Sequence, residues 1–154
     1  MRYTHGPDVK RFGFWVIAVL ITLGSITLQQ GYAQGENPTT CSLATLSGLY
    51  VFDATGFNIT NGVAVPKTVV EFLKFGGDGS LASIATAVVG GNIIAKDAHG
   101  TGSYRVNDDC TGTLTFNGSG FTFDLFIAPH GGRFHMIQTV TGQMLAGEAR
   151  RVGR

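Results

Sequence analysis

Beyond Cys41 the chain runs in short apolar and β-branched stretches separated by clusters that contain glycine. No stretch there keeps a helical repeat over three turns, whereas period-two alternation recurs, which is the signature of half-buried strands. The first run is Leu46 to Ala54, with Leu49, Tyr50, Val51 and Phe52 filling both faces. Thr55 to Gly62 read as a longer connection. Val65 to Phe75 form the second run, with Pro66 at its start, where a missing N–H does least harm. Gly76-Gly77-Asp78-Gly79 is a strong turn signal before the third run, Leu81 to Val89. Ile93-Ile94-Ala95 read as a short extra strand or as part of a loop. The remaining runs are Gly102 to Val106, Cys110 to Phe116, Phe121 to Ala128, Arg133 to Thr141, and Gln143 to about Val152.

About eight strands joined in sequence order by short turns predict an all-β fold, a small antiparallel meander barrel. Closing the sheet removes edges that would otherwise pair between molecules, and it requires the first and last strands to meet. An open two-sheet sandwich is the alternative. Glycines inside the runs (Gly48, Gly102, Gly112, Gly147) suit bends at barrel corners. The phenylalanines either fill the interior or line a pocket, since barrels of this size do both. The small residues Ala82, Ser83, Ala85 and Ala87 of the third run leave room for a cavity.

The N-terminal third follows another pattern. Arg2, His5, Lys10 and Arg11 precede an apolar run from Phe12 to about Leu28, and Gly31 and Ala33 suit the small positions of a cleavage point. A basic start, an apolar centre and small residues at the end make a secretory signal. The expected organisation is a signal peptide over residues 1–33, an N-terminal extension over 34–45 and the barrel domain over 46–152. The run is interrupted by Gly24, Ser25 and Thr27, which argues against an uncleaved membrane anchor. Thr39-Thr40 before Cys41 does not fit a lipid-attachment site. The reading is therefore an exported protein, periplasmic or extracellular, with no stable membrane span after cleavage.

Two cysteines, Cys41 and Cys110, both follow the signal segment. In an oxidising compartment such a pair is expected to form a disulfide, here closing a loop of about 70 residues. Formal net charge is +1, so the basic face of a nucleic-acid partner is missing.

Several segments carry a family resemblance. They are Cys41-Ser42, Leu46 to Phe52, Phe75 to Ser80, Gly100 to Val106, Asp109 to Thr113, Ile137 to Thr139 and Gly147 to Arg150. Over about Cys41 to Arg151 the chain resembles a group of bacterial exported proteins of unknown function. In these, one cysteine precedes the first strand and a second opens a Cys-Thr-Gly-Thr strand. Their architecture is similar to the allene oxide cyclase barrel, a calycin-like barrel of eight strands. Plant allene oxide cyclases close a fatty-acid epoxide into a ring inside an apolar cavity, steered by a bound water and a carboxylate. Those positions are not matched on this sequence, and no catalytic residue is carried over.

The candidate chemistry is sparse. Glu71 shares a strand face with Val69, Leu73 and Phe75. Inside a dry barrel its pKa would rise, which suits general acid–base work; facing outward it would be solvated or paired with Lys74 or Arg105. Tyr50 and Tyr104 can each supply a hydroxyl to a cavity or serve as satisfied core residues. His99, His130 and His135 lack the ordered spacing of a zinc site, so no metal or other cofactor is expected. There is no Gly-x-Ser-x-Gly elbow and no His-Glu-x-x-His motif. The leading expectation is a non-catalytic barrel that binds a small apolar ligand or a cell-envelope partner. The alternatives are a cyclase or isomerase using Glu71 with a tyrosine, and a structural or interaction module with a filled barrel.

Overall fold

A computed structural model describes residues 40–153. The expected signal peptide, residues 1–33, and residues 34–39 of the extension lie outside the described residues. After a 3₁₀ turn at Leu43–Thr45 come β1 (Ser47–Thr60), β2 (Val63–Gly76), β3 (Ser80–Val89) and β4 (Asn92–Val106). The shorter β5 (Thr111–Phe116) and β6 (Thr122–Ile127) follow. A second 3₁₀ turn at Pro129–Gly131 then leads to β7 (Arg133–Gln138) and β8 (Gln143–Gly153). Each strand pairs antiparallel with the next, and β8 returns to β1, so the sheet is a closed barrel of eight strands. The sandwich alternative is excluded by that last pairing, which runs from Leu49↔Gly153 to Asn58↔Gln143.

β1, β2 and β4 are longer than their hydrophobic pattern implies. Thr55 to Thr60 belong to β1, paired with β2 on one side, and as far as Asn58 with β8 on the other. Past Ala54 the order of the pattern inverts. Gly56 and Asn58 take the inward register positions while Phe57 and Ile59 are exposed, so the segment reads as a loop. Ile93 to Ala95 are not a separate strand but the start of β4. An irregularity interrupts β4 where Ala98 pairs with Ala85 and Ala95 with Ala87, leaving Lys96 and Asp97 without opposite numbers in β3. β7 ends at Gln138 rather than Thr141, and Cys110 lies just before β5.

Turn chemistry fixes the register. Asn61 and Gly62 join β1 to β2 with φ of 52° and 79°, the left-handed pair that a two-residue hairpin needs to match strand twist. Because Thr60 pairs directly with Val63, Lys67, Val69, Glu71, Leu73 and Phe75 all fall on the inner face of β2.

The two ends of the barrel differ. At the end that holds the N-terminal 3₁₀ turn, Phe75 contacts three rings: Tyr104 at 4.8 Å, Tyr50 at 5.3 Å and Phe134 at 5.5 Å between centroids. Leu46, Leu73, Leu114 and Leu125 pack into the same core and are fully buried. Cys41 and Cys110 form a disulfide there, with Cα atoms 5.0 Å apart, an ordinary separation for this link. It fastens the segment before β1 to the β4–β5 corner, where the Cys41 N–H also donates to Asp108 O at 3.1 Å. This end is filled. The other end is not.

Candidate functional site

The open half of the barrel encloses a cavity of about 390 Å³. It exists because inward positions on β3 and β4 carry almost no side chain: Ala85, Ala87, Ala95, Ala98 and Gly100. A Cβ at Gly100 would come within 2.7 Å of Ser83 Oγ. The facing aromatic walls are Phe52 from β1, Phe116 from β5, Phe121 just before β6, and Phe123 from β6. Volume and lining are those of a small-molecule pocket, which is mostly apolar with a few placed polar groups. Filled or hollow, the alternative left by the sequence, resolves into one of each along the barrel axis.

Five of the polar lining residues come from four consecutive strands, while Ser83, His99, Thr101, Asn117 and Ser119 line the rest. Gln138 stands on β7, Gln143 on β8, Asn58 on β1, and Lys67 and Glu71 on β2, all lining the cavity. Strand alternation puts them there. Gln138 continues the inward series of Phe134 and Met136, and Lys67 and Glu71 flank Val69.

Glu71 is 7% exposed. Burial pushes its carboxyl above the usual carboxylate range, and the neighbouring Ser83 hydroxyl opposes the shift only in part. Lys67 is 6% exposed, and burial lowers its amine from the ordinary lysine range. Its Nζ donates to Gln143 Oε1 at 3.2 Å and lies 5.2 Å from the centroid of the Phe121 ring. Lys67 thus reaches from β2 toward the opposite wall and holds its charge against an aromatic face. Among the described residues neither Lys67 nor Glu71 takes part in an ion pair. Gln138 is 5% exposed, and neither Oε1 nor Nε2 of its carboxamide has a hydrogen-bond partner. The buried Oδ1 of Asn58 is likewise unpartnered.

Of the candidate chemical groups singled out in the sequence, Glu71 and the exposed His99 line this cavity, beside the small Ser83, Ala85 and Ala87. Lys74 and Arg105, the partners weighed for an outward Glu71, are exposed on the barrel exterior. Tyr50 and Tyr104 are buried in the filled end. Tyr50 Oη donates to Gly131 O at 2.6 Å and accepts from Arg151 Nη2 at 2.7 Å. Tyr104 Oη accepts from the Gly77 N–H at 3.0 Å and lies 2.8 Å from Leu46 O. These hydroxyls tie the 3₁₀ turns and the β2–β3 corner to the core, away from the cavity.

Among the described residues no three His, Cys, Asp or Glu side chains gather as metal ligands. His135 faces outward toward Glu148, 3.3 Å away. Nor is any described helix long and apolar enough to cross a membrane.

Lys67, Gln138, Asn58 and Gln143 escaped the sequence reading. For Lys67 and Gln138 a signal existed, since each continues an inward period-two series of apolar residues. Asn58 had none, because it lies inside the Thr55 to Gly62 segment read as a connection, and Gln143 had none, because it opens the last run directly after Gly142. Comparison of the chain with family models, with curated proteins and with solved structures found no match.

Proposed function

We propose that this barrel is an exported, non-catalytic binding protein that holds a small, largely apolar molecule in its open half. The observation that carries this reading is the cavity, walled by alanines and phenylalanines and built by strands whose other ends pack solidly. The rigid filled end supports it further, because a preformed pocket spares the ligand the cost of ordering the protein. Export is supported by the basic–apolar–small pattern of residues 1–33 and by the Cys41–Cys110 disulfide, a link at home outside the cytosol. Cleavage after Ala33 belongs to the same proposal.

Native mass spectrometry of the gently purified protein, followed by titration with a panel of small apolar compounds, tests the binding reading. A retained or titratable 1:1 adduct is expected. A protein that leaves the whole panel unbound contradicts it.

Glu71 favours a second reading, a cyclase or isomerase of the allene oxide cyclase kind. A buried carboxyl with a raised pKa, facing an apolar pocket, can deliver or accept a proton at a bound substrate. Here the tyrosines do not assist, since both hydroxyls are engaged at the filled end. Under this reading Glu71→Gln abolishes turnover of an epoxide substrate; unchanged turnover removes it.

A further inference from the structure

Lys67 is a lysine in an unusual place. It stands at the first buried inward position of β2 counted from the open end of the barrel. It lines the cavity together with both groups that its amine meets, Gln143 and Phe121. Only 6% of its surface is exposed, and lysines so buried are rare unless an anion accompanies them. Here no carboxylate pairs with it among the described residues. Glu71, the carboxyl on the same strand face, lies beyond Val69, about 13 Å further along at the usual rise per residue.

An ammonium has three N–H donors and no acceptor. Gln143 Oε1 takes one of them at 3.2 Å, and the Phe121 ring centroid lies 5.2 Å from Nζ. A neutral carboxamide and a ring face compensate a buried charge less than a carboxylate does. Burial accordingly moves the balance from ammonium toward free amine. A free amine keeps a lone pair, and a lysine desolvated in a pocket is a nucleophile toward carbonyl carbon. For the fold alone, methionine would fill the same space without burying an amine. Ser83, His99, Thr101, Asn117 and Ser119 also line the cavity, but a C=N bond needs a primary amine, which among the lining residues only Lys67 carries.

We infer that Lys67 captures an apolar aldehyde as a Schiff base inside the cavity. This rests on the binding reading above. The Nζ lone pair adds to the carbonyl carbon, the C=O π pair moves to oxygen, and one N–H proton passes to that oxygen, giving a carbinolamine. Loss of its hydroxyl with the remaining N–H proton, as water, leaves the C=N bond. No oxidant, reductant or cofactor enters, and addition of water in reverse releases the ligand. The carbonyl carbon stands at Lys67, and the apolar body runs inward past Val69 and Phe123.

Incubation of the protein with 2-naphthaldehyde near neutral pH, trapping with cyanoborohydride and peptide mapping test the inference. Lys74 and Lys96, both exposed, serve as internal references, and adducts on the N-terminal amine map to a separate peptide. The expected result is at least about tenfold more trapped adduct on Lys67 than on either reference, which a tenfold larger free-amine fraction accounts for. 2-Methylnaphthalene, the same ring system without the carbonyl, should bind reversibly and, in excess, suppress the Lys67 adduct while leaving the references unchanged. Lys67→Met should lose the adduct yet bind 2-methylnaphthalene within about threefold of wild type.

Adduct spread evenly over the three lysines overturns the inference. So does a Lys67 adduct that excess 2-methylnaphthalene does not suppress, a comparison that needs only wild-type protein and decides the matter even if Lys67→Met does not fold. A folded Lys67→Met that no longer binds 2-methylnaphthalene gives the amine a part in shaping the pocket, against the inference. No Lys67 adduct in a protein that binds 2-methylnaphthalene removes the capture and leaves the binding reading standing. Neither adduct nor binding removes both.

Discussion

Placing a carboxyl against Val69, Phe52 and Ala85 makes Glu71 a pH-dependent liability as well as a chemical group. Its folded pKa lies above the ordinary value of 4.5 because burial disfavours the anion. A carboxyl shifted upward binds its proton more tightly in the folded state than in the unfolded one. Its contribution to stability is fully present below pH 4.5 and is lost as pH rises through the folded pKa. Glu71→Gln should therefore melt higher than wild type near pH 8, with the difference shrinking as pH falls through the folded pKa toward 4.5 and constant below that. Melting curves across that range check it, and a variant less stable at pH 8 contradicts it. The inward direction of Glu71 was legible from its alternation with Val69, Leu73 and Phe75. The role of Tyr50 and Tyr104 was not, because the alternation that puts a hydroxyl inside a barrel does not say at which end.

Strands carry the shape, and their closest approach is at the closing seam. A Cβ on Gly147 would lie 2.0 Å from Asp53 O, and one on Gly56 would lie 1.7 Å from Met144 O. Both neighbours are backbone atoms and cannot rotate aside, so β1 and β8 coil against each other only with glycine at these positions. Gly147→Ala should destabilise the protein by about 1–3 kcal/mol, the usual range for overpacking, measured by urea unfolding. Alanine at wild-type stability would show that the seam is looser than described. That β1 and β8 pair was expected only as a condition of closure, since nothing in either strand names its partner. Strand existence was legible from the period-two runs and the glycine turns. Strand length was not: in β1 beyond Ala54, Gly56 and Asn58 take the inward positions while Phe57 and Ile59 face water, so the usual signal reverses.

At the scale of the molecule, the barrel divides into a packed end, which holds the disulfide and the aromatic cluster, and a hollow end, which holds the cavity. The disulfide fastens the packed end across 69 residues of sequence. The chain-entropy account assigns such a loop roughly 4 kcal/mol, a large share of a small domain's stability. Replacing Cys41 and Cys110 together by alanine should lower the unfolding free energy by up to about that amount. A double variant as stable as wild type in denaturant would remove the disulfide from the list of supports. The pairing itself was legible from an even count of cysteines, whereas the division of the barrel was not. It arises from which inward positions are alanine and which are aromatic, and that requires the register of all eight strands at once.

A space of about 390 Å³ lies between Ala87 of β3 and the rings of Phe121 and Phe123. The most direct measurement is a fluorescence titration with the neutral apolar probe N-phenyl-1-naphthylamine, on wild type and on Ala87→Phe, which fills that space from its wall. Saturable binding of one probe per wild-type chain, lost in an Ala87→Phe protein that still folds, is the predicted result. Undiminished binding by a folded Ala87→Phe, or none by wild type, would contradict it.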